Sequence, residues 1–318
     1  MNIECPPWLK ASTSPWTTEE LAERNVSDRQ IARFVQGGDL VRLRRGCYLS
    51  GQLWQQQSPE TRALQRIYAH HHALLPTTRR GMVYSHTSAA RIHGLHLWKV
   101  DDLIHLTQGF PTSPHGHGPD VQAHYSSLSP QDVSFGKGLR ITALERTVVD
   151  CARILSYRQS LIIADHALQL GGNQSLMQDI ALQLSGHKGI ANARAITARA
   201  SALAESPGET LTRHFLHRMG LPMPEEQVSV RTRHGDHRLD FAWRELLLAL
   251  EFDGRIKYFD YSPTQEVLFE ERRREKALME DGWQFIRIEW ADLFREAELK
   301  ARILVALHRA RSLHRKSA

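Results

Sequence analysis

The sequence predicts an α/β multidomain chain in three parts, and three observations predict it. Two capped helices are followed at once by a basic hairpin. A middle stretch mixes helical segments with short strands. The last third reads as α-β-β-β-α-β, the order of a compact mixed domain. At 318 residues the chain exceeds one ordinary small domain. The expected boundaries are 1–55, 56–204 and 205–318.

The first part begins with the capping box Thr17-Thr18-Glu19-Glu20, whose oxygens satisfy free amides at a helix start. A short helix reaches Arg24 and turns at Asn25-Val26. Ser27-Asp28-Arg29-Gln30 is a second capping box, and Ile31, Phe34 and Val35 then share one helical face. Gly37-Gly38 stops that helix. In Leu40 to Arg44, alternation sends Val41 and Leu43 one way and Arg42 and Arg44 the other. Arg45-Gly46 turns the chain, and Cys47 to Leu49 returns.

In the middle part, helices are expected over Pro59 to Leu74, Ser85 to His93, Ala143 to Leu155 and Arg158 to Leu170. A strand is expected at Leu103 to Thr107, and a Gly/Pro/His-rich loop at Pro111 to Pro119. The last part opens with Ser206 as N-cap, Pro207 at the first helical position and Glu209 at the third. Leu211, Phe215 and Met219 form its buried stripe, and Gly220 ends it. Strands follow at Gln227 to Thr232, Arg238 to Trp243 and Leu246 to Phe252. A charged helix from Glu266 to Glu280, a strand from Trp283 to Glu289 and a final helix complete it.

The net charge of +6 attracts polyanions, and nucleic acid is their usual form. A second helix that enters the major groove would offer Ser27, Arg29, Gln30 and Arg33. A hairpin carrying Arg42, Arg44 and Arg45 would reach the adjacent backbone or minor groove. Three distant cysteines, with no CxxC pair, argue against a disulfide framework and a cysteine-based zinc site. Neither a signal peptide nor an apolar run of membrane-spanning length is visible, so a cytoplasmic protein is expected.

Metal-dependent phosphodiester cleavage needs carboxylates converging on Mg²⁺ or Mn²⁺, which activates water and neutralises charge on the phosphate. Glu251 and Asp253 lie two apart on one strand and share a face. Asp240 lies on the preceding strand, where a hairpin brings it toward Glu251. Carboxylates that end a buried strand such as LLLAL are costly unless they bind something.

The run SDRQIARFVQGGDLVRLRRGCYLSG resembles the winged-helix domain of AbiEi-type antitoxins. SHTSAARIHGL, IHLT and ITALERTVVDCAR are similar to that family's second domain, so this resemblance covers about residues 12–200. It implies a DNA-binding regulator that represses its own operon, with a cognate toxin as partner. A winged-helix repressor of this kind often reads a palindrome as a homodimer. LDFAW, EFDGRIK and RREKALMEDGW resemble the PD-(D/E)XK nucleases, in the branch similar to very-short-patch repair endonucleases, over about residues 205–295. That likeness implies a restriction-endonuclease-like α/β fold, with Asp240 and Glu251 on the metal. Asp253 stands where many members carry lysine, and Lys257 where this branch commonly carries histidine. Both would help activate water. Glu209 matches the acidic residue of the first helix, and Arg274 the helix arginine. Two functions stay open: a Mg²⁺-dependent endonuclease, or an antitoxin-like repressor whose nuclease fold is idle.

The 18 histidines show no metal-binding spacing. His70 to His72, the group His86, His93 and His96, and the pair His115 and His117 read as surface or packing residues. Ser85, His86 and Asp150 suggest a hydrolase triad, but no GxSxG elbow exists.

Overall fold

The computed structural model describes residues 4–74, 81–110, 118–233, 235–254, 273 and 275–317. The chain divides into two compact α/β units, 1–155 with 175–194, and 156–174 with 195–318.

The first unit begins with α1 (Pro7–Lys10), β1 (Trp16–Thr17), α2 (Thr18–Glu23) and α3 (Asp28–Gln36). Thr17 and Glu20 form the expected capping box. The hairpin β2 (Leu40–Arg44) and β3 (Cys47–Ser50) follows, and β1 completes a three-stranded sheet of order β1-β3-β2. Leu9, Leu21, Val26, Ile31, Phe34 and Leu40 fill one core beneath it. The strict alternation expected in β2 fails, because a bulge between Arg42 and Arg44 shifts the register. Leu40 is buried, and Val41, Leu43 and Arg44 are all half-buried.

After α4 (Gly51–Gln56) and α5 (Pro59–His72), β4 (Met82–Tyr84) leads into α6 (His86–His93). Next come β5 (Ile104–Gln108), β6 (Val121–Tyr125), β7 (Val133–Gly136), β8 (Leu139–Thr142) and α7 (Leu144–Ile154). Their sheet has the order β6-β5-β4-β8-β7, with β5 and β6 parallel. Ile67, Tyr84, Ala89, Ile92, Ile104 and Ile141 form a second core in this unit.

Helix α8 (Tyr157–Gln169) belongs to the second unit, α9 (Gln174–Gln183) almost wholly to the first, and α10 (Ile190–Arg199) spans the division. The second unit continues with α11 (Pro207–Arg218), β9 (Glu225–Thr232), β10 (Gly235–Trp243), β11 (Leu248–Phe252), β12 (Gln284–Ile288) and α12 (Glu296–Ser317). Its sheet runs β12-β11-β10-β9: an antiparallel meander with β12 added parallel to β11. The run Leu248 to Leu250 is fully buried as the interior strand β11. Leu211, Phe215 and Leu216 form the apolar stripe of α11, whereas Met219 is only half-buried because it caps the helix end.

Candidate functional site

Three groups of polar side chains stand out, and the first is basic. On α3, Arg29 and Arg33 are exposed, as are Arg42 and Arg45 on the hairpin. None of the four has an ion-pair or hydrogen-bond partner among the described residues. A groove between α3 and the hairpin is bordered by Ile31, Ala32, Val35, Arg42, Arg45 and Tyr48. The other residues expected here are engaged. Arg44 makes a two-pronged ion pair with Asp120, Nη1 to Oδ2 at 2.9 Å and Nη2 to Oδ1 at 2.9 Å. The Gln30 amide oxygen accepts from Ser27 N and Ser27 Oγ, each at 2.8 Å. Ser27 and Gln30 therefore hold the start of α3.

The second group is acidic and lies at the end of β10 and β11. The printed register of β10 and β11 runs from Trp243 and Leu248 to Phe241 and Leu250, and Asp240 and Glu251 are the next residues along each strand. Asp240 Oδ2 accepts from Phe252 N at 2.9 Å, which ties the ends of these two strands together. Asp253 N continues the ladder to Ile288 O at 2.8 Å. Helix α11 reaches this corner through Gly208, where any Cβ would overlap the Phe252 ring. Glu209 is thereby buried, and it accepts from Ser206 Oγ at 2.7 Å, Glu205 N at 2.9 Å and Gln227 Nε2 at 2.8 Å. Burial, and next the negative charge of Asp240, push the Glu209 carboxyl up to about 7. Among the described residues, no three carboxylates bring ligand atoms within 4.8 Å of one another. Lys257 and Arg274 lie outside the described residues.

The third group consists of histidines. His86 opens α6, His105 is on β5 and His124 on β6. Thr107 pairs with His124 in the parallel ladder, so His105, Thr107 and His124 share one face of the sheet. His105 Nδ1 lies 2.9 Å from His124 Nε2, and the His86 and His124 rings stack at 3.7 Å. Histidines 86, 105 and 124 were not legible as a set. They lie about twenty residues apart and meet only in the tertiary fold, His105 and His124 through strand pairing and His86 from the start of α6, while His93 turns instead to the Thr142 carbonyl at 2.8 Å. Beside them, Arg146 is buried against Asp150, with Nε to Oδ2 at 3.0 Å, and Arg153 meets the other oxygen at 3.2 Å. Asp150 is thus the anchor of two arginines and not the third member of a triad with Ser85 and His86.

No protein-family model matches the chain. Two curated relatives are similar to it, both from Mycobacterium tuberculosis: uncharacterized protein MT2308 (strain CDC 1551 / Oshkosh) and uncharacterized protein Rv2248 (strain ATCC 25618 / H37Rv). Each is 32% identical over 177 residues, 55% of this chain and 64% of the relative. The chain thus spans somewhat less than two thirds of the relatives' length. The crystal structure of RV2827C protein from Mycobacterium tuberculosis is similar over 63% of this chain and 84% of that one, at a TM-score of 0.37 and 15% identity. That likeness is too distant to bear on fold or function.

Proposed function

We propose that the protein binds double-stranded DNA through a winged helix formed by α2, α3 and the β2–β3 hairpin. The second unit is then a nuclease-like module of the PD-(D/E)XK kind. The observation that carries this reading is the set Arg29, Arg33, Arg42 and Arg45, exposed on one small module and without protein partners among the described residues. Unpaired arginines on a helix and its adjoining hairpin suit phosphates across a groove. In a fluorescence-anisotropy titration of duplex DNA, Arg42→Ala with Arg45→Ala weakens binding at every sequence tried and lowers its salt slope by about 2. Unchanged affinity and slope remove the hairpin from the DNA interface.

The mixed sheet with α11 packed at the end of β11 supports the nuclease-like reading, as does the negative charge of Asp240 acting on the buried Glu209 carboxyl. With Mg²⁺ or Mn²⁺, Asp240 and Glu251 would hold the ion. A second reading is an AbiEi-like repressor with an idle nuclease fold, acting with a cognate toxin and as a homodimer. It is favoured by the engagement of Asp240 with Phe252 N, which gives that carboxylate a structural task. Incubating wild type and Asp240→Ala with plasmid DNA and Mg²⁺ separates the two. Cutting by wild type alone favours the enzyme, and DNA binding without cutting by either favours the repressor.

A further inference from the structure

We propose that His86, His105 and His124 bind a divalent transition-metal ion of the Zn²⁺ class, a site separate from the DNA and carboxylate readings above. One ring nitrogen from each of the three lies within 4.8 Å of the others, and they are the group of described residues for which this holds. Three imidazoles on a rigid frame make a common ligand set for Zn²⁺, and they leave a fourth position for water or an anion. The frame here is two hydrogen-bonded strands and the first turn of a helix. His86 and His105 are buried, and His124 is half-buried at the edge strand.

The surroundings fit ligation in two ways. First, the His86 ring is held by a hydroxyl, and a carboxylate lies near the His105 ring. His86 Nδ1 lies 2.9 Å from Ser85 Oγ, which leaves Nε2 for the ion. Ser85 Oγ is itself fixed by Thr107 Oγ1 at 2.8 Å. His105 Nε2 is buried with no hydrogen-bond partner, and Asp101 Oδ1 lies 3.8 Å from it. With Nδ1 on a metal, that Nε2 carries the proton and faces the Asp101 carboxylate at ion-pair distance, the side on which a carboxylate steadies a metal-bound histidine. Second, His86 has φ +50°, a left-handed backbone that is uncommon for a residue with a Cβ. Such strain is characteristic of functional positions. The positive charge of Arg146 and Arg153 is offset by Asp150 and Asp132. Tetrahedral Zn²⁺ with bonds of about 2.0–2.1 Å sets its nitrogens about 3.3 Å apart. Starting from 2.9 Å, His105 and His124 need to open only slightly.

The test uses the full chain without a histidine tag, treated with chelator and titrated with Zn²⁺ by calorimetry and with Co²⁺ by visible absorption. The wild type takes up one equivalent of Zn²⁺ and gives the ligand-field bands of nitrogen-bound Co²⁺. His124→Gln, at the sheet edge, lowers the affinity by at least about a hundredfold, more than is lost with an outer partner. His93→Gln, whose ring turns to the Thr142 carbonyl, leaves it unchanged. Circular dichroism checks that each variant is folded. No saturable Zn²⁺ uptake by the folded wild type overturns the proposal and leaves a hydrogen-bonded histidine stack. Equal affinity in folded His124→Gln overturns it too.

Discussion

Arg44 and Arg45 are neighbours in the chain, yet their guanidinium groups have opposite fates. The bulge in β2 turns Arg44 back onto Asp120, while Arg45 at the turn stays exposed. Arg45→Ala therefore weakens DNA binding and reduces the salt slope by about 1, whereas Arg44→Ala changes the slope little. Anisotropy titrations at several salt concentrations read the difference. Arg146 tests a different force. Its guanidinium and the Asp150 carboxylate are almost fully buried together. Arg146→Ala leaves that carboxylate without its nearest counter-charge, and a loss of about 3–5 kcal/mol is expected in guanidinium denaturation. Glu209 links stability to pH. Its carboxyl is raised from 4.5 to about 7, so the folded chain holds a proton that the unfolded chain has released. This contribution is full below 4.5 and is lost as pH rises through about 7. Glu209→Gln flattens the stability profile in that window, which denaturation at a series of pH values measures. His124 has the opposite sign: lowered from 6.5 to about 4, it costs no stability above 6.5 and increasingly more as pH falls toward 4.

At the scale of elements, legibility follows locality. The caps at Thr17, Ser27 and Ser206 and the stop at Gly220 depend on residues within one helical turn, so the sequence displays them directly. Thr17→Ala removes an acceptor from Glu20 N and should cost about 1 kcal/mol in denaturant unfolding. The strand beginning at Leu248 was expected two residues earlier. Arg244 to Leu246 instead form a short 3₁₀ turn, closed by Leu247 at φ +44°, and apolar composition alone does not distinguish this from strand. The bulge at Arg42 to Arg44 escaped the reading because alternation assumes unbroken pairing. The hairpin that carries Asp240 and Glu251 on adjacent strands was readable from the sequence, and β10 and β11 do pair antiparallel. The role of Glu209 was readable only in part, since its capping of α11 is local but its contact with Gln227 crosses to another element. The histidine trio, spread over α6, β5 and β6, had no local signature at all.

At the scale of the molecule, the chain divides into two α/β units. The first contains two cores, one under the basic hairpin and one under the sheet that bears the histidines. The second contains the core behind the carboxylate corner, built around Val228, Leu239, Ala249, Leu278 and Trp283. Among the described residues, no helix is long and apolar enough to cross a membrane. The net charge of +6 and the pI of about 9.4 describe the whole chain, and what matters for binding is where unpaired cations collect. We propose that these cations collect at α3 and the hairpin to meet DNA phosphates. The dependence of duplex affinity on salt tests this, for wild type and for the chain carrying Ala at 29, 33, 42 and 45. Each neutralised phosphate contributes about −0.9 to the slope of log K against log salt, so a slope of about −4 is expected for wild type and one near zero for the folded variant. Equal slopes in the two proteins would remove these arginines from the DNA interface.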